Sequence, residues 1–478
     1  MTKLNEKQFV WCIIWIFFLF GSCTVQENPK PDPPQDQLVN EWVEETMRQY
    51  YLWEDEIPPT ERLDLTQDAE TFFLSLLSDK DGKTRGTSPH YYYSTINKKS
   101  SDTKAYQGEG YSFGFEFQYY YFQKMDLYAL LLLYVLPGSP AAQEGLKRGD
   151  WIVEINDKSV PGDAASLLKA LDTTSPVTTS FGITSSPGSP GSPVSRKLLT
   201  ASQVTDDPVF LSKTIHYGGR KIGYLVYNHF TAGPTESSED EQFNNNLRKA
   251  FTQFKKDLPD EFILDLRYNS GGLVSAAQLL ATMLAPEAAL NDVFCYLSYN
   301  GKESSYPDRS LKLDPLYMKQ GASGENLDLS RLYVITSSRT ASASEAVING
   351  LKPYLGNQLI LVGATTEGKN VGSVTFEDDR FDWELHPIVS RLSNKDKESG
   401  YENGIDPTYP CDEKDASAYY DLGDEREFML KPILDYIAHG TPISLSILAS
   451  LRSTDKQAPI PLYNSLDRKR PKGVILNH

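Results

Sequence analysis

Hydrophobic positions change their period along this chain. From Leu38 onward, Leu38, Trp42, Val43, Met47, Tyr50 and Tyr51 recur at helical spacing, and "DAETFFLSLL" is a second amphipathic stretch with Asp68 as N-cap. These predict a small helical unit over 38–100. Over 105–200 the pattern turns to strands, "YSFGFEFQYYYF", "LYALLLLYVL" and the alternating "WIVEIND", punctuated by Pro and Gly turns. From 208 to 440 strand and helix alternate. "KIGYLVYNHF", "EFILDL", "RLYVIT" and "QLILVG" read as strands, with amphipathic helices at "EQFNNNLRKAFTQFKK", "LVSAAQLLATML" and "SASEAVINGLK". That alternation predicts a mainly parallel sheet with crossover helices and working loops at the carboxyl ends of its strands. The fold class is therefore α/β and β multidomain. "TSSPGSPGSPVSRK" is a low-complexity loop, and the tail 441–478 carries no clear functional signal.

The first residues belong to no such unit. Lys3 and Lys7 precede the uncharged run "FVWCIIWIFFLF", too short to span a membrane comfortably and suited to a signal segment over 1–22. Gly21-Ser22-Cys23 resembles a lipoprotein cleavage site, although Phe20 and Gly21 depart from its commoner residues. On that reading Cys23 carries a lipid and 23–37 is a Pro-rich stalk; the alternative is an ordinary secretory signal. On the lipobox reading the mature protein is tethered to a membrane. A net charge of −17 argues against nucleic acid or an anionic bilayer surface as main partner. The four cysteines form no CxxC and no Cys/His cluster, so neither a metal site nor a disulfide framework is expected. No cofactor is implied.

Within 105–200 the order "PGSPA", Gly145-Leu146, Gly149-Asp150, "WIVEIND" resembles a PDZ domain. Such domains take extended peptides and free C-termini by strand addition. The resemblance places Phe113, Gly114 and Phe115 of "GYSFGFEF" at the carboxylate-binding loop and groove.

Several hydroxyls compete as nucleophile. "GYSFG" is formally G-x-S-x-G, but a strand follows Ser112 where an elbow needs a helix, which excludes it. "NSGG" places Ser270 before two glycines, whose turn exposes backbone N–H groups as an oxyanion hole requires. "SSRTASASE" runs from an apolar strand into a helix, so a serine there meets backbone donors and the positive dipole end; the plain alternative is an N-cap serine among small residues. A histidine base has its best candidate in His229, yet none of His90, His216, His229, His386 or His439 has an evident orienting carboxylate. A buried lysine serves if its pKa falls toward neutrality, and "GATTEGKNVGS" offers Lys369 just after a strand.

"DLRYNSGG", "SSRTASASE" and "GATTEGKNVGS", in this order behind a PDZ domain and a helical unit, resemble the C-terminal processing peptidases, or tail-specific proteases, especially their exported lipoprotein members in Gram-negative bacteria, which implies a lipid-anchored place in the cell envelope facing the periplasm or the exterior. The resemblance covers about 38–440. It implies a ClpP/crotonase-like peptidase domain over 208–440, with Ser342 as nucleophile, Lys369 as general base, and the backbone N–H groups of Gly271 and Ala343 as oxyanion donors. Ser337, Ser338 and Ser344 become supports. Protein or peptide substrates with free C-termini are the implied partners. Three departures stand out: Thr340 for a serine, Asn370 for a glycine, and Ser373, a candidate lysine support, where a glutamine is usual. They leave open a catalytically weakened adaptor that binds peptide tails, or an unrelated secreted hydrolase using histidine.

Overall fold

The computed structural model describes residues 35–84, 89–99, 111–187, 194–235, 239–302, 305–443 and 459–469. The signal segment, Cys23 and most of the stalk lie outside the described residues. What is described is a mixed α/β multidomain chain.

The N-terminal unit holds α1 (Gln35–Tyr50) and α2 (Ala69–Leu74), and the Asp68 carboxylate caps α2 by accepting from the Thr71 N–H at 3.0 Å. It is not a self-contained helical unit. Val39, Val43, Met47, Phe72 and Phe73 share one core with Val371, Phe381, Leu385 and Ile388 from far along the chain. A strand at Thr95–Lys98 pairs antiparallel with Trp383–His386. Helical periodicity located α1 and α2 but could not show that their apolar faces are covered by residues some three hundred positions away.

The second unit is an antiparallel sheet of β1 (Phe115–Phe122), β2 (Leu127–Val135), β3 (Trp151–Ile155), β4 (Thr178–Thr184) and β5 (Ser195–Thr200) in that spatial order, with helix α3 at Ala164–Leu171. Ser139 caps the short helix Pro140–Gln143, and Gly149 takes φ +87° in the turn into β3. A Cβ on Gly149 would lie 2.6 Å from the Tyr419 carbonyl oxygen, because this turn is pressed against the third unit.

The third unit is built on β6 (Val209–Tyr217), β7 (Arg220–Tyr227), β8 (Glu261–Asp265), β9 (Leu332–Thr336) and β10 (Leu359–Gly363). β6 and β7 form an antiparallel hairpin; β7, β8, β9 and β10 run parallel, each beside its predecessor. The crossovers carry α4 (Gln242–Asp257), α5 (Val274–Leu284) and α6 (Ala343–Leu355). Strands covered on both faces read as continuous apolar runs, and Leu332–Thr336 and Leu359–Gly363 are buried throughout. Three loops therefore leave adjacent parallel strands at one edge: 266–273 after β8, 337–342 after β9 and 364–370 after β10.

Candidate active site

These three loops carry the three sequence motifs, and a buried ion cluster anchors them from below. The Arg267 guanidinium, 1% exposed, donates to Asp265 at 2.8 Å and to Glu427 at 2.7 and 3.0 Å, and pairs with Glu413 at 2.8 Å. The Arg267 carbonyl accepts from the Ser337 hydroxyl at 2.5 Å, which joins the first loop to the second. Arg148 of the PDZ unit enters the same cluster. Its guanidinium donates to Tyr268 Oη at 2.5 Å and to the Leu133 and Tyr420 carbonyls at 2.8 Å each, and it also pairs with Glu413. Burial pushes the Glu413 carboxyl up, but Arg148 and then Arg267 outweigh it and hold the group at about 2.

Asn269 locks the first loop to the second. Its side-chain amide donates to the Tyr227 carbonyl at 2.9 Å; its own carbonyl accepts from the Ala341 N–H at 3.2 Å and the Ser344 hydroxyl at 3.0 Å. Asn269 Oδ1 also accepts from the Gly271 N–H at 2.8 Å. This differs from the free donor expected of Gly271, because its N–H is engaged in the local Asx contact. What Gly271 supplies is room. At φ +109° it runs so close to the second loop that a Cβ would lie 2.7 Å from Ser342 Cβ and 3.2 Å from the Ala343 nitrogen. Ala343 N–H, at the first position of α6, keeps the orientation that a helix N-terminus gives a donor.

Ser342 sits on the turn from β9 into α6 with φ 61° and ψ −115°. A side chain rarely adopts that conformation, which costs on the order of 1–3 kcal/mol. It is a strained strand-to-helix elbow of the kind that presents a nucleophile, although no G-x-S-x-G marks it. The serine is 2% exposed and its Oγ makes no hydrogen bond. That is short of the closed side-chain bond of an ordinary N-cap, although Ser342 and Glu345 stand in the positions of a capping box at the start of α6. The supports are sorted too. Ser337 and Ser344 hold loops together, and the buried Thr340 donates to the Leu266 carbonyl at 2.8 Å. Ser338 is exposed and is not among them.

Glu345, which the sequence reading passed over, organises the centre. It is fully buried on α6. Its Oε2 accepts from the Ser342 N–H and the Lys369 N–H, both at 2.8 Å; its Oε1 accepts from the Gly368 N–H at 2.6 Å and the Thr366 hydroxyl at 2.5 Å. One oxygen thus bridges the backbones of both expected catalytic residues, so their amide nitrogens are at most twice that distance apart. Burial pushes the Glu345 carboxyl up to about 7, against the pull of its four donors. The loops are also joined directly, the Glu367 N–H donating to the Thr340 carbonyl at 2.9 Å.

Lys369 is 6% exposed, and its Nζ lies 4.8 Å from the centre of the Tyr93 ring, supplied by the N-terminal unit. Buried Asp81 fixes the Tyr93 backbone, accepting its N–H at 2.9 Å, and Tyr91 beside it donates to Glu367. Ser373 lies on a strand facing Ile388. Asn370, in place of the usual glycine, ties the third loop to its neighbour by donating to the Ser399 carbonyl at 2.5 Å. The histidine alternative finds no support: His229 is engaged with the Asp206 carbonyl at 3.0 Å and Thr231 at 2.7 Å.

In the PDZ unit, Phe113 and Phe115 are buried and pack on Phe181, so their side chains build the core, not a groove wall. Gly114, at φ +83°, sits where a Cβ would strike Ser139, and its N–H donates to Ser112 Oγ at 3.0 Å.

Comparison with known proteins converges on one family. Models of the peptidase S41 N-terminal domain, a PDZ domain and peptidase family S41 match residues 39–95, 132–180 and 221–411. The crystal structure of a candidate S41 protease from Bacteroides fragilis is 32% identical, with 84% of this chain and 97% of that one covered and a TM-score of 0.72. A carboxyl-terminal-processing protease of Picosynechococcus is 26% identical over 247 residues, 51% of each chain. A chloroplastic C-terminal processing peptidase of Tetradesmus obliquus is 26% identical over 257 residues, 51% of this chain and 48% of its own. The chain spans about half the length of these curated relatives. With the elbow serine and the lysine loop brought onto one carboxylate behind an S41 N-terminal domain and a PDZ domain, this chain belongs to peptidase family S41.

Proposed function

We propose that this protein is a serine endopeptidase of the cell envelope that cuts proteins chosen by their free C-termini. The observation that carries the reading is Ser342 Oγ, buried, on a strained elbow, bonded to nothing, with Lys369 tied to the same Glu345 oxygen. A hydroxyl left unsatisfied in a buried site is costly and is retained where the group must be free to react. Lys369, as the neutral amine, takes the proton of the Ser342 hydroxyl while Oγ attacks the scissile carbonyl carbon. The oxyanion forms beside the start of α6, where Ala343 N–H and the helix N-terminus favour negative charge. The Lys369 ammonium then returns the proton to the leaving amine, giving an ester on Ser342 and a free N-terminus on the departing fragment. Water, losing a proton to Lys369, hydrolyses the ester. Glu345 touches no substrate atom and is a positioning residue for both partners.

The PDZ unit supports selection by C-termini, with the 113–115 loop at the carboxylate end of the strand-addition edge. Comparing a peptide that ends in a free carboxylate with its C-terminal amide tests this. The amide loses a charge-assisted hydrogen bond worth roughly 1.5–3 kcal/mol, so kcat/KM falls about ten- to a hundredfold. Equal rates well below saturation would contradict recognition through the C-terminus.

A further inference from the structure

The outer edge of β1, which follows the 113–115 loop and is where a PDZ domain adds a peptide strand, is already paired. Strand β11 (Ile460–Asn464) lies antiparallel along it, with Ile460 opposite Tyr121, Pro461 opposite Tyr120, Tyr463 opposite Tyr119 and Asn464 opposite Gln118. The Phe117 N–H donates to Ser465 Oγ at 2.7 Å, so the next position along β1 is taken by a side chain. A peptide whose carboxylate sits at 113–115 and which runs antiparallel along β1 would place its preceding residues beside Phe117–Tyr121. Those are the positions that 460–465 hold. The segment thus has both the direction and the location of a bound tail.

Its attachment is uneven. Ile460 and Leu462 are 38% and 47% exposed, Leu462 is bulged out of register, and Pro461 brings no N–H to the ladder. The grip lies at the other end. Gln118 donates to the Tyr463 carbonyl at 2.8 Å, Asn464 donates to Gln118 at 2.9 Å, Ser465 bonds Glu116, and Leu466 is buried in the core that contains Leu133 and Ile335. One residue further, Asp467 pairs with Arg339. Arg339 belongs to the loop that ends in Ser342, and its N–H donates to Ser337 Oγ at 3.0 Å.

We propose that residues 460–465 are a built-in ligand of the PDZ strand-addition edge, which an extended substrate tail must displace, and that displacement reaches the nucleophile loop through the Asp467–Arg339 pair. The proposal rests on the reading that this edge receives substrate tails. A site that is free only part of the time shows its intrinsic affinity reduced by the free fraction. A chain ending at Ala458 therefore binds an added tail about tenfold more tightly or better, because an intramolecular competitor acts at an effective concentration near millimolar.

The experiment uses Ser342→Ala protein, so that nothing is cut, and a fluorescein-labelled peptide ending in free Tyr-Val-Val, with its amide as control. Anisotropy is read for the full chain, for the chain ending at Ala458, and for the full chain carrying Gln118→Cys and Asn464→Cys, whose facing positions lock the segment when oxidised. Expected are tighter binding after truncation, competition by a synthetic 459–469 peptide added to the truncated chain, and loss of binding in the oxidised pair that reductant restores. The locked variant keeps the test open if the truncated chain fails to fold. Equal affinity for all forms would overturn the built-in ligand and leave tail recognition standing. Binding by no form, or acid and amide bound alike, would overturn the recognition reading and the inference with it.

Discussion

Replacing Glu345 with glutamine keeps the shape at the centre of the site and removes the charge. The four donors meet the carboxylate in pairs, Thr366 and Gly368 on Oε1, Ser342 and Lys369 on Oε2. A glutamine can keep its carbonyl toward Ser342 and Lys369 only by turning its NH2 against the Gly368 N–H. Stranding that donor and exchanging two charge-assisted bonds for neutral ones costs about 3–5 kcal/mol. The carboxylate has its own cost, because burial holds it at about 7 against an ordinary 4.5. That displacement amounts to roughly 3 kcal/mol of stability, present below pH 4.5, where the folded and unfolded chains are both protonated, and lost as pH rises to about 7. Relative to wild type, the variant gains roughly 3 kcal/mol between pH 4.5 and pH 8. Activity moves the other way. With the two backbones no longer clamped by one charged oxygen, kcat/KM at pH 8 falls about a hundredfold, the scale of a small misplacement in a catalytic pair. Urea unfolding at pH 5 and pH 8, with peptide cleavage at pH 8, measures both. A stability difference that does not change with pH, or full activity in the variant, would refute the role given to Glu345.

Other substitutions probe the remaining parts. Gly271→Ala adds a Cβ 2.7 Å from Ser342 Cβ at a φ of +109°, so it is expected to cost about 2–4 kcal/mol and to abolish cleavage; near-normal activity would show that the close approach is dispensable. Arg148→Met leaves buried Glu413 without its first cation and is expected to cost about 3–5 kcal/mol at pH 7. A carboxyl held at about 2 contributes stability above its ordinary 4.5 and loses it as pH falls toward 2, so the gap to wild type narrows in acid; a gap constant from pH 7 to pH 3 would contradict the ion cluster. If Cys23 carries a lipid, Cys23→Ser is expected to move the protein from the membrane to the soluble fraction, and unchanged fractionation would contradict a lipid at Cys23.

Much of this was legible in the residues because it is local. Continuous apolar runs marked β8, β9 and β10, helical spacing marked the helices after them, and the small-residue run 340–344 marked a tight strand-to-helix turn. What escaped is carried by contacts between distant segments. By its position Glu345 is an ordinary first-turn carboxylate of a helix, and nothing there indicates that Thr366, Gly368 and Lys369 fold back onto it. The departure at Ser373 was legible, but the ring that faces Lys369 comes from Tyr93, in another unit. Gly271 was recognised as a backbone position with a purpose, while its N–H partner depended on the rotamer of Asn269. The tail was unreadable because "IPLYNS" becomes a strand only against the edge of β1.

In the proposed reaction Lys369 moves the proton for an attack by Ser342, and the decisive comparison is cleavage by purified Lys369→Ala beside wild type. With fold and peptide affinity retained, the variant is predicted to lose at least about a thousandfold in kcat, as low as Ser342→Ala, because residues that act as one unit fail together. Cleavage by Lys369→Ala within about tenfold of wild type would contradict the account.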